Sequence, residues 1–177
     1  MGRIFSLRGV YTVTDNIQGT QKNLLDYISP DRTKAWKLVR AHVWPKDFTG
    51  TASGSTDQAG MAVFTLWTDE ANVVVSNELS NAGDNRQCAW SMQQYNTRDS
   101  LEMIFPQGRG EELPQFTIDP DTLITKELYI QGQFKHDGPT PQANREWNYL
   151  IILESKKVTP SESLFQQIKG IGQNIDS

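Results

Sequence analysis

The chain has 177 residues, 37% of them hydrophobic and 21% charged, and a net charge of −4. That length suits one domain with a sizeable core, the composition is too apolar for wholesale disorder, and no apolar run approaches the roughly 18 residues of a membrane span. Cys88 is the only cysteine, so no intrachain disulfide is expected and synthesis and folding in a reducing cytoplasm is the simplest reading.

Gly2 to Thr14 is rich in β-branched and aromatic residues and runs into Asp15-Asn16, which predicts a strand followed by a turn. Met1 to Arg8 has no long apolar core, so it is read as strand and not as a targeting leader. Leu24 to Ile28 is short enough for strand or helix and stops at Ser29-Pro30-Asp31. From Ala35 to Trp44 strict alternation predicts a strand with Ala35, Val39, Ala41 and Val43 on one face. Trp36, Leu38, Arg40, His42 and Trp44 fall on the other. Phe48 to Gly60 is a Gly/Ser/Thr/Asp-rich segment of loop character. Met61 to Thr68 and Asn72 to Asn77 predict two strands about Asp69-Glu70. A loop over Ser80 to Asn85 leads to a strand, Gln87 to Tyr95, with Cys88, Trp90 and Met92 opposite Ala89, Ser91 and Gln93.

Leu101 to Phe105 is a further short strand, and Phe116 to Pro120 bridges to what reads as one long strand. There Thr122, Ile124, Leu128, Ile130 and Phe134 share a face, and only Lys126 breaks the inward pattern. His136 to Asn144, with Gly138, Pro139 and Pro141, reads as loop. Glu146 to Lys156 contains the run Trp147 to Leu153, apolar on nearly both faces, as a central strand needs. At the end, Thr159-Pro160-Ser161-Glu162 has the form of a capping box, and Leu164, Phe165, Ile168 and Ile171 follow at near-helical spacing. The expected fold is therefore all-β: an eight-stranded antiparallel jelly-roll sandwich over residues 1–158, with one short C-terminal helix and tail over 159–177. An eight-stranded up-and-down barrel is the second architecture.

Chemistry-bearing patterns are sparse. His42, His136 and Cys88 are isolated, so no metal site, cofactor or catalytic residue is assigned and the chain is not expected to be an enzyme. His136-Asp137, Glu111-Glu112 and Asp119 with Asp121 read as surface turn residues before they read as general acids or bases. Gly108-Arg109-Gly110 is a turn and no phosphate cradle.

The unusual feature is the strand around Trp36, Arg40 and Trp44. Residues 1–46 hold eight Lys/Arg against three Asp/Glu, and the remainder holds nine against eighteen. Arg32, Lys34, Lys37 and Arg40 interleaved with tryptophans suit single-stranded nucleic acid, the same Trp and Arg residues suit a subunit interface, and core packing of the Trp side is the blander alternative. Leu164, Phe165 and Ile168 on the helix either cover the end of their own sandwich or dock on a neighbouring subunit.

The C-terminal third resembles capsid proteins of small icosahedral viruses found in environmental samples. The likeness rests on Ile124-Thr125-Lys126-Glu127-Leu128-Tyr129-Ile130, the Trp147 to Leu153 strand and the appended helix Thr159 to Ile168, about a third of the chain. The resemblance implies a jelly-roll coat subunit of the virion that self-assembles with copies of itself, with a basic surface toward the viral genome and contacts to other virion proteins. No membrane partner is expected. Such proteins frequently carry an Arg/Lys-rich N-terminal arm, whereas only Arg3 and Arg8 occupy the first twenty residues here. Two further readings are a tail or neck component of a phage and a carbohydrate-binding β-sandwich with Trp36, Trp44 or Trp67 as the sugar platform.

Overall fold

Alternating apolar residues bury themselves best when two sheets face each other, and in the computed structural model the described residues form ten strands doing so, followed by one helix. The structure describes residues 2–14, 20–26, 33–46, 58–69, 83–98, 102–104, 115–136 and 144–171. The strands are β1 (Ile4–Thr14), β2 (Thr20–Asp26), β3 (Lys34–Pro45), β4 (Gln58–Trp67), β5 (Gln87–Arg98), β6 (Glu102–Ile104), β7 (Thr117–Ile118), β8 (Leu123–Ile124), β9 (Glu127–His136) and β10 (Asn144–Lys157). The helix α1 spans Pro160–Ile171.

The first sheet has the order β1-β10-β3-β8 and the second β2-β9-β4-β5-β6, with β7 also on β5. Every pairing is antiparallel. The pairs β1–β10, β2–β9, β3–β8 and β4–β5 nest inside one another, as they do when one long antiparallel ribbon is rolled up so that its successive pairs alternate between two layers. That order is a jelly roll and not an up-and-down barrel, in which chain neighbours would be sheet neighbours. Eight strands make the roll, as expected, and the short β6 and β7 are additions on β5.

The register defines the interior. Trp147, Tyr149, Ile151 and Leu153 of β10 face the core, with Tyr11 and Val13 of β1 and Leu38, Ala41 and Val43 of β3 on the same side. Ala62, Phe64 and Leu66, Ala89, Leu128 and Ile130 close on them from the second sheet. Phe64 meets Trp147 edge-on at 4.8 Å between ring centroids, the geometry aromatic quadrupoles favour. Gln93 spans the two layers by donating its Nε2 to the Val43 carbonyl at 2.9 Å. The central position expected for the Trp147 segment holds, since β10 lies between β1 and β3.

Four expectations change. Leu24 to Ile28, open between strand and helix, is strand β2 as far as Asp26, and Tyr27 and Ile28 lie outside the described residues. The single long strand expected over Thr122 to Phe134 is two: β8 belongs to the first sheet and β9 to the second, and the chain crosses between layers at Thr125-Lys126. Lys126, the residue that broke the inward pattern, stands at that crossover. The end of the expected Phe48–Gly60 loop is already strand, because β4 begins at Gln58. The strict alternation of β3 also fails, as developed below. The strand expected over Asn72 to Asn77 lies outside the described residues.

Candidate functional site

Leu38 pairs with Leu153 and Arg40 with Ile152, so Val39 is one residue too many for its partner strand: a β-bulge. An extra residue inverts the parity of everything beyond it. Trp36 and Leu38 therefore point inward with Leu153, while Arg40, His42 and Trp44 point outward with Ile152, Leu150 and Asn148. The face expected to carry Trp36, Arg40 and Trp44 together is divided. Val39, expected on one face with Ala41 and Val43, is 49% exposed whereas those two are buried. Trp36 packs against the core and lies 5.7 Å from the Phe5 ring.

The cations separate in the same way. Lys37 and Arg40 share the outer face of the first sheet, Lys34 sits at the start of β3 on the inward parity opposite Lys157, and Arg32 lies outside the described residues. Pairing of β1 with β10 adds Arg8 to the outer face, beside Leu150, and places Ile4 beside Glu154. Arg8 and Arg40 are exposed, Lys37 is half-buried, and Lys156 is paired with Glu154 at 2.8 Å. Lys156 holds the Glu154 carboxyl below the usual carboxylate range. Between these charges lie the apolar Ile4, Val10, Val39, Leu150 and Ile152. Arg8, Ile4, Leu150 and Ile152 are members of this surface that sequence patterning did not single out, because only the strand register brings them to β3.

The helix is capped as expected. The Thr159 hydroxyl accepts from the Glu162 N–H at 3.2 Å, and Glu162 accepts from the Thr159 N–H at 2.7 Å, which draws the Glu162 carboxyl below its ordinary range. Its orientation is unusual. Ser163 is 2% exposed and turned to the domain, while Leu164, Phe165 and Ile168 are 45%, 66% and 55% exposed. Gln166 and Gln167 share a polar cleft with Thr68, Asp69, Thr125 and Lys126. The helix thus rests on its own sandwich by its polar side and shows its apolar side outward, the reverse of ordinary amphipathic packing.

Other candidates resolve into structural roles. Asp119 accepts from the Asp121 N–H at 3.0 Å and from the Thr122 hydroxyl, shaping the turn before β8. His42 is 8% exposed and its Nδ1 has no hydrogen-bond partner, so no carboxylate among the described residues holds that nitrogen as in a catalytic triad. Glu111-Glu112 and Asp137 lie outside the described residues, among which no group of three or more His, Cys, Asp or Glu could hold a metal ion. No helix among the described residues is long and apolar enough to cross a membrane. The three tryptophans of a sugar platform occupy three surfaces. Trp36 is on the inner face of the first sheet, Trp44 on its outer face, and Trp67 is buried on the far side of the second sheet, with its Nε1 on the Thr65 hydroxyl and Arg86 over its ring.

No family model matches the chain, and no curated protein matches it. Among solved structures it is similar to VP1 of Trichodysplasia spinulosa-associated polyomavirus, with 8% sequence identity, 83% of this chain and 79% of that chain covered, and a TM-score of 0.29. A likeness of that degree adds nothing to the strand order, on which the fold assignment stands.

Proposed function

We propose that the chain is a structural, non-enzymatic protein of a virion, a coat subunit that assembles with copies of itself. The observation that carries this reading is the reversed helix: a folded chain that keeps Ser163 inward and Leu164, Phe165 and Ile168 in water has an apolar surface unused by its own core. The jelly-roll order agrees with a coat role, since this architecture is a common shell-building unit, although it also serves lectins and other proteins. The outer sheet face, with cations around apolar side chains, supplies a second contact surface.

The test is expression of the full chain followed by light scattering and electron microscopy. Closed particles are expected. A chain that stays monomeric over a wide range of concentration and salt overturns the proposal.

A further inference from the structure

The helix and the outer sheet face are on different parts of the molecule, so neither can satisfy the other within one chain. Helix α1 lies at the end of the sandwich where β4 ends, β5 begins and β8 gives way to β9, as its cleft with Thr68, Asp69, Thr125 and Lys126 shows. That end carries acidic groups. Arg86 is paired with Asp84 at 2.7 Å and Lys126 with Glu127 at 2.7 Å, while Asp69 lines the cleft under the helix and Glu162 is exposed in its first turn. The outer face of the first sheet has the opposite character, with Arg8 and Arg40 exposed and making no ion pair to a described residue.

Resting on the coat-subunit reading, we infer that α1 of one copy docks head-to-tail across the outer face of β1, β10 and β3 of the next. Leu164, Phe165 and Ile168 seat on Ile4, Val39, Leu150 and Ile152, and the acidic helix end meets Arg8 and Arg40. Two further arguments favour this occupant. A twelve-residue helix is about 18 Å long, and Leu164, Phe165 and Ile168 paired two-fold with themselves fall short of the roughly 1,000 Å² that a stable interface buries. A broad sheet face with a charged rim supplies the missing area. Single-stranded nucleic acid suits the face less well, because stacking uses successive aromatic platforms and the bulge at Val39 turns Trp36 to the inside, leaving of that pair only Trp44 on the outer face. A contact between two different surfaces is heterologous, so it builds rings where the rotation closes and filaments where it does not, instead of stopping at a dimer.

The test uses the full chain in two singly substituted forms, Phe165→Cys and Val39→Cys, in a Cys88→Ala background. Mixed and allowed to assemble under mild oxidation, they are expected to give a covalent dimer that neither form gives alone. The Leu164→Glu/Phe165→Glu chain, altered only at exposed positions, is expected to keep the parent's melting temperature and lose at least tenfold of its assembly; Arg40→Glu is expected to weaken assembly in the same direction, most at low salt. Particles that form without the mixed disulfide, or with only a 165-to-165 disulfide, overturn the docking and leave the coat role standing. So does an Arg8→Glu/Arg40→Glu chain that assembles normally but loses binding to a single-stranded oligonucleotide. A parent chain that never assembles overturns both.

Discussion

Lys22 of β2 donates its Nζ to the Val10 carbonyl of β1 at 2.7 Å, and the same ammonium lies 5.4 Å from the centre of the Tyr149 ring. β1 and β2 are each an edge strand of its sheet, so one side chain ties this open side of the sandwich and occupies a carbonyl that an exposed edge would otherwise offer to another chain. Lys22→Met keeps the aliphatic stem and removes the donor and the charge. It is expected to lower stability by about 1 kcal/mol, with Lys22→Arg nearer the parent. Urea unfolding of the three chains checks this, and equal midpoints would contradict it.

The bulge makes a sharper prediction, because sequence alternation and structure disagree about Val39. Alternation places it on the same face as Val43, whereas it is exposed and Val43 is fully buried. Val39→Asp is therefore expected to change stability by no more than about 0.5 kcal/mol, and Val43→Asp to cost more than about 4 kcal/mol or prevent folding. The comparison is made by urea unfolding at low protein concentration, so that effects on assembly stay out of the result. A large loss at Val39 would mean that the alternation is unbroken.

That disagreement shows what sequence patterning reached and where it stopped. The positions of most strands, the capping box of Thr159 and Glu162 and the central role of Trp147 to Leu153 are properties of local sequence, and each appears in the fold. Bulges and layer changes are set by the partner strand. Nothing within Ala35 to Trp44 says that Leu153 will take Leu38 and Ile152 will take Arg40. Nothing within Leu123 to Glu127 except the awkward Lys126 says that two sheets divide it. The candidate surface was legible only in halves: Arg40 and the helix were visible, whereas Arg8, Ile4 and Leu150 join through the β1–β10–β3 register.

Gly132 stands where the two layers approach closely. Its N–H donates to the Tyr11 hydroxyl at 2.8 Å, and a Cβ added there would meet Phe64 Cδ1 and Tyr11 Cε1 at 2.8 Å. Both rings are buried, Phe64 completely, so neither moves aside freely. Gly132→Ala is expected to cost about 1 to 3 kcal/mol through overpacking. Tyr11→Phe, which removes the acceptor and leaves the buried N–H unpaired, should cost a similar amount, about 1 to 3 kcal/mol. Denaturation midpoints of the two variants provide the check. A neutral Gly132→Ala would show that the rings have room to retreat.

Cys88 and Tyr11 give the folded chain a weakness toward alkali. Cys88 sits in the irregularity of β5 opposite Leu66 and Trp67, is fully buried, and directs its Sγ to the Leu66 carbonyl at 3.5 Å. Burial, with the Asp119 charge adding to it, pushes the thiol up to about 12. Burial also raises the Tyr11 phenol, outweighing the Gly132 N–H that favours its anion. Both groups keep their protons in the folded chain at pH values where the unfolded chain has lost them. Their contribution is whole below the unfolded thiol value of about 8.5 and declines as pH rises toward the folded values, at up to ~1.4 kcal/mol per pH unit for each proton. Unfolding free energy should therefore be level from pH 7 to about 8.5 and fall between about pH 9 and 11, with a shallower fall in Cys88→Ala. The native thiol should also stay silent to a disulfide reagent at about pH 8 and react only as fast as the chain opens. Rapid labelling of the native protein, or identical pH profiles for parent and Cys88→Ala, would show that the thiol is not sealed in the core.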